Sequence, residues 1–176
     1  ETYDAWAATH FTLIGFVLFG GFAAVTYWYP KMTGHDLNED RAAKSFGLMF
    51  AGTLIALLPL FAAGVSGQVT DSYRYFSYED LGVYNAISAV GTLLLFVGVV
   101  LAVGNLVKSR SEEPAATPDP YRGDSLEWLA LSPPPAHNFD VLPDVRSTRP
   151  MRDIREAVIR RDVEDAEAES AAQPVA

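Results

Sequence analysis

AWAATHFTLIGFVLFGGFAAVTYWYP, residues Ala5–Pro30, contains no residue charged at neutral pH, and Asp4 and Lys31 flank it. A hydrocarbon core takes about 20 apolar residues as helix, so this stretch is long enough to span it with some tilt. One titratable group lies inside it, His10, close to its N-terminal end. Tyr27, Trp28 and Tyr29 mark the other end, aromatics of the kind that collect at a membrane–water interface. Pro30 is expected to stop the helix and Lys31 to begin the polar side. An imidazole inside a membrane span is a functional candidate by default, because burying it there is costly unless something binds it.

The chain has 176 residues with a formal net charge of −9, and its halves differ. Up to Val107 it is mostly apolar; from Lys108 it is polar, rich in proline and carries most of the charge. The acidic balance argues against nucleic acid as a partner, since phosphate recognition needs the opposite sign. There is no cysteine, which excludes disulfides, thiolate metal sites and haem attached through Cys. The first residue is Glu1 and no signal-peptide pattern precedes the first span, so the chain is expected to be the C-terminal piece of something longer.

Two more spans follow. Phe46–Ser66 is uncharged, with Pro59 tolerated as membrane helices allow. Val83–Val107 is also uncharged and ends at Lys108. Small residues recur on it (Ala89, Gly91, Gly98, Ala102, Gly104) and permit close helix–helix approach. The first loop holds Lys31, Arg41 and Lys44, and the tail opens with Lys108 and Arg110. The second loop has only Arg74 against Asp71, Glu79 and Asp80. The positive-inside rule then places the first loop and the tail in the cytoplasm and Glu1 outside.

The prolines at 114, 118, 120, 133, 134 and 135 rule out a long helix after Ser111 and indicate an extended segment. Trp128, Leu129, Leu131 and Phe139 are too apolar for a free linker and are expected to dock on a partner surface. Pro150–Glu169 reads as a helix with Pro150 in its first turn, and the acidic end as disordered. The fold class is therefore an all-α membrane protein, three transmembrane helices with a Pro-rich, partly helical cytoplasmic tail. Its parts are a membrane region over residues 1–108, a docking tail over 109–149, and a short helix with a disordered acidic end over 150–176.

Several motifs in fixed order resemble subunit I of the haem–copper cytochrome c oxidases, in its last three helices and tail. Glu1-Thr2-Tyr3 and Trp28-Tyr29-Pro30-Lys31-Met32-Thr33-Gly34 are similar to the two ends of that family's tenth helix, without a gap between them. Asn85-Ala86-Ile87-Ser88 resembles the start of its last helix. Ser125-Leu126-Glu127-Trp128 and Ser132-Pro133-Pro134-Pro135 resemble its tail signatures. The resemblance runs from Glu1 to about Arg149.

It implies a component of a respiratory cytochrome c oxidase in an energy-transducing prokaryotic plasma membrane. Such a complex passes electrons from cytochrome c to oxygen and translocates protons. The partners implied are the lipid bilayer and other oxidase subunits or the upstream part of subunit I. In the ungapped register His10 falls on the axial ligand of the low-spin haem. Ala8 falls on the proximal ligand of the high-spin haem, and alanine has no donor atom. A register shifted by two residues would instead put His10-Phe11 on the first His-Phe pair, leaving Thr12 for the second histidine. The family's Met-Pro-Arg-Arg, whose arginines pair with haem propionates, corresponds to about Gln68-Val69-Thr70-Asp71, so a hydroxyl and an anion stand in place of two cations. Glu1 replaces an aspartate of a non-redox magnesium site.

The cofactor expected is thus a low-spin haem at His10, with its ring facing the bundle interior beside Trp6, Leu13, Ile14 and Val17. Paired axial imidazoles favour electron transfer over oxygen binding. Glu1 is a weak metal candidate, and no copper is expected on this chain. The competing reading of His10 is a remnant histidine bonded to a neighbouring helix. His35 and His137 read as surface or packing residues. No nucleophile–base pair or phosphate loop is present, so the chain alone is expected to catalyse nothing. The alternative function is a haem-free structural subunit of a terminal oxidase.

Overall fold

The computed structural model describes residues 2–70, 82–114, 116–139 and 142–172, with the backbone alone for 167–172. All named elements are helices: α1 (Tyr3–Leu13), a π-helical turn (Ile14–Phe19), α2 (Gly20–Thr33), α3 (Glu39–Val65), α4 (Gly82–Ser109), a 3-10 turn (Leu126–Trp128) and α5 (Pro150–Ala172). Among the described residues, three helical stretches are long and apolar enough to cross a membrane: Tyr3–Thr33, Glu39–Val65 and Gly82–Ser109. The first of these is continuous through the π turn. The chain divides into two compact units, one of Glu1–Tyr29 with Asp36–Glu113, the other of Pro30–His35 with Pro114–Ala176.

Two helix ends differ from the sequence reading. Pro30 does not stop the first span, which continues to Thr33. Proline deletes one bond, but the turn closes through the Gly34 amide, which donates to the Pro30 carbonyl at 2.9 Å. Gly34 itself, at φ 74°, takes the left-handed conformation that ends the helix. The second span starts earlier than Phe46 because the Asn38 side chain caps it, accepting from the Arg41 amide at 2.9 Å. Glu39 and Asp40 then lie in the first turn, where negative charge suits the helix dipole.

Inside the first unit the spans pack through small residues. A Cβ at Gly52 would come within 2.8 Å of the Gly91 carbonyl oxygen, and one at Gly91 would meet the backbone of Ile55 and Ala56. Gly98 sits on Met49 in the same way. The α3–α4 crossing is thus backbone against backbone, as membrane helices require when apolar burial gives no drive. Gly64 of α3 abuts the backbone of Tyr3 and Asp4 on α1, and Ala7 of α1 is buried. The Tyr3 amide donates to the Gln68 carbonyl at 3.0 Å, pinning the N-terminus of α1 beside the end of α3.

The second unit is organised around Trp128 and Lys31, which are 1% and 5% exposed. The Lys31 ammonium donates to the carbonyls of Ala130 and Pro118, the latter at 3.2 Å. It also lies 5.7 Å from the centroid of the Trp128 ring. Tyr121 meets that ring edge-on at 5.6 Å. The apolar tail residues therefore have a docking place within the chain: Trp128 is buried, although Leu131 remains 63% exposed. The helix read from Pro150 runs on to Ala172, through the acidic stretch that composition reads as disordered.

Candidate functional site

The α1 helix carries an aromatic ladder on one face. Tyr3 meets Trp6 edge-on with centroids 6.0 Å apart, and Trp6 stacks on His10 at 3.6 Å with planes 20° apart. Spacings of three and four residues put these side chains one above the other. The His10 Nδ1 lies 2.9 Å from the Trp6 carbonyl oxygen. A carbonyl can only accept, so Nδ1 carries the hydrogen and donates it. That fixes the tautomer and leaves the Nε2 lone pair out of the helix's own bonding. A metal-binding imidazole is held in this arrangement when its second nitrogen bonds a backbone carbonyl.

Of the stripe expected to face the bundle interior, Trp6 borders a cleft with Leu60 of α3 and Asn85 of α4, and Leu13, Ile14 and Val17 border a furrow with Leu106 of α4. Within the first unit the face of α1 turned to α3 is that of Ala7, whereas Leu13 and Val17 are 51% and 62% exposed. Beneath His10 the helix widens into the π turn Ile14–Phe19. Here Leu13, Ile14, Val17 and Gly21 of the first span and Leu106 of α4 line an apolar furrow of about 490 Å³. A second cleft of about 490 Å³ adjoins the ladder itself. Tyr3, Trp6, Thr70, Asn85, Ser88 and Thr92 are among its lining residues.

Gln68, two residues before Thr70, where the resemblance puts the first propionate-binding arginine, is 1% exposed. Its Nε2 donates to Asn85 Oδ1 at 3.3 Å, and its Oε1 has no partner. A neutral amide sealed in this way supplies no cation. Ala8 is exposed on α1 and offers no donor atom. Among the described residues, one of a haem's usual contacts is matched: an imidazole, that of His10, whose Nε2 lies outside the helix's own bonding. The chemistry present does not fit propionate neutralisation at Thr70, a hydroxyl in place of a cation, or ligation of a second haem at Ala8. Glu1 and Asp71 lie outside the described residues. Among those described, no group of three or more His, Asp or Glu side chains could hold a metal ion.

His35 is half-buried in the second unit, its Nδ1 without a partner and its amide donating to Thr33 Oγ1 at 3.2 Å. His137 is exposed. Of the aromatics read as interfacial, Tyr27 and Trp28 are 43% and 37% exposed, whereas Tyr29 is 5% exposed. Sequence reasoning missed the role of Lys31, which it used only as a topological charge. The signal available was its place next to Pro30, at the edge of an uncharged span, with a Trp-bearing tail still to be docked.

The sequence model of the family described as "Cytochrome C and Quinol oxidase polypeptide I" matches residues 1–94. Among curated proteins, cytochrome c oxidase subunit 1 of Corynebacterium diphtheriae is 38% identical over 152 residues, covering 85% of this chain and 27% of that protein. Cytochrome c oxidase subunit 1 of Alkalihalophilus pseudofirmus is 34% identical over 152 residues, 86% of this chain and 24% of that protein. Cytochrome bo(3) ubiquinol oxidase subunit 1 of Buchnera aphidicola is 36% identical over 140 residues, with shares of 78% and 21%. The chain thus spans about a quarter of the length of these relatives.

Proposed function

The chain belongs to the cytochrome c and quinol oxidase polypeptide I family, and on that premise we propose that it forms the closing helices and tail of a respiratory terminal oxidase. In this reading His10 is an axial ligand of a low-spin haem whose second ligand comes from a helix outside this chain. The complex passes electrons from cytochrome c to oxygen with proton translocation. Its membrane is a prokaryotic plasma membrane, with the N-terminus of the chain outside and its C-terminus in the cytoplasm.

The observation that carries the haem reading is the Nδ1–H bond to the Trp6 carbonyl at 2.9 Å. It holds the ring in one tautomer, with the lone pair on Nε2. The π turn and apolar furrow below it offer a water-poor wall along the same helix. A haem bound there would supply one-electron transfer. The chain's own part is to orient the imidazole and exclude water along α1. Ala8 has no donor atom and Thr70 and Asp71 carry no cation, so in this reading the oxygen-reducing haem and the propionate cations belong to other parts of the complex.

A second reading is a haem-free structural subunit, and it is favoured by Thr70 and Asp71, which stand where the resemblance puts the propionate-binding arginines. Purification of the tagged full chain from its native membrane, with oxygen uptake measured on the product, tests the oxidase assignment. Haem-bearing partners and cyanide-sensitive uptake are expected. A chain that purifies intact without either would contradict it.

A further inference from the structure

Within the second unit, contacts run in series from the end of the first span to α5. Lys31 is held by the carbonyls of Ala130 and Pro118 and by the face of Trp128. The Trp128 ring packs on Gly123, where an added Cβ would fall on the indole. The Gly123 carbonyl accepts from Arg155 Nη1 at 2.9 Å. The same guanidinium is paired with Asp119 Oδ2 and Asp124 Oδ1, each at 2.9 Å. Arg155 stands on α5, whose Met151 amide donates to the Asp124 carbonyl at 3.1 Å.

We propose that this series is a latch, in which α5 braces the 119–124 loop through Arg155, the loop seats Trp128, and Trp128 with two carbonyls holds Lys31. The hydrogen-bond partners of the buried ammonium are carbonyl dipoles rather than a carboxylate. Dipoles satisfy a buried charge only while they stay converged on it, because each contributes less than a full opposite charge. Withdrawal of α5 therefore loosens the 119–124 loop, then the indole, and finally the seat of Lys31. The state of the tail helix is in this way felt at the end of a transmembrane span, independently of any haem.

Hydrogen exchange by mass spectrometry on the full chain in lipid nanodiscs tests this. The reporter is the stretch Ser125–Leu131, where the Trp128 amide donates to Ser125 and the Leu129 amide to Leu126. Arg155→Gln and Lys31→Met are each expected to speed exchange there by about tenfold. In a series the double variant exchanges no faster than the quicker single variant, since either break opens the same seat. Arg155→Gln that frees the α5 amides while Ser125–Leu131 stays protected would overturn the latch. So would Lys31→Met with unchanged protection, or a double variant whose effects multiply. Native exchange in α3 and α4 serves as the folding control. If Lys31→Met fails that control, Trp128→Phe replaces it, expected to speed exchange at 151–155; no change there overturns the proposal.

Discussion

Ser109 on α4 donates to the Tyr29 hydroxyl at 2.6 Å, and Tyr29 passes the bond on to the Leu106 carbonyl at 2.7 Å. Both side chains are buried, at 3% and 5% exposure. The pair ties the end of the first span to the end of the third. Tyr29→Phe removes one hydroxyl while keeping the ring, and Ser109 can fall back on the Leu106 carbonyl, now 3.4 Å away. The expected cost is about 1 kcal/mol, read as a lower midpoint of thermal unfolding in detergent. Tyr27→Phe, at an exposed position, is expected to change nothing measurable.

The Gly52–Gly91 crossing makes a sharper demand. Even Gly91→Ala places a methyl group on the α3 backbone, which cannot yield as a flexible side chain would. The cost is expected at or above the upper end of the roughly 1–3 kcal/mol of overpacking. Gly47 and Gly104, with nothing within 4 Å of a built Cβ, are expected to accept alanine in the isolated chain. Folded yield after detergent extraction separates the two outcomes.

Gly123→Ala is expected to unseat Trp128 without touching the spans. The new methyl overlaps the indole, so the ring must leave its place. Chymotrypsin is expected to spare the buried Trp128 of the native chain and to cut after it in the variant. An equally resistant variant would mean that the loop shifts to keep the ring covered.

The spans and the tail's apolar anchor were legible because they rest on composition: uncharged runs of the right length, and a Trp in a Pro-rich stretch. Helix ends were less so. The start of α3 depends on the Asn38 cap and the first span's extension past Pro30 on Gly34 in the left-handed conformation, both local devices that an apolar window does not see. Tyr29 looked like its neighbours Tyr27 and Trp28, since which of three consecutive aromatics turns inward is set by the partner helix. His10 was identifiable as a lone imidazole in a span. Its tautomer, the aromatic ladder above it and the seal on Gln68 required coordinates, because they depend on rotamers and on contacts between α3 and α4.

The cysteine-free sequence makes topology directly measurable. Asp36→Cys and Thr70→Cys stand in the first and second loops. With the basic residues of the first loop held inside, Asp36→Cys is expected to react with an impermeant maleimide only after vesicles are opened, and Thr70→Cys in intact ones. The reverse pattern would invert the orientation proposed for the whole chain.

The most direct test of the central claim is the dithionite-reduced absorption spectrum of the purified complex, native against His10→Ala. If His10 is an axial ligand, the low-spin haem band is expected to be lost in the variant while the complex stays assembled and the spans stay inserted. Ala8 adds an expectation for both proteins: no high-spin haem bound by this chain. An unchanged low-spin band in an assembled His10→Ala complex would contradict the account and leave the chain as scaffold.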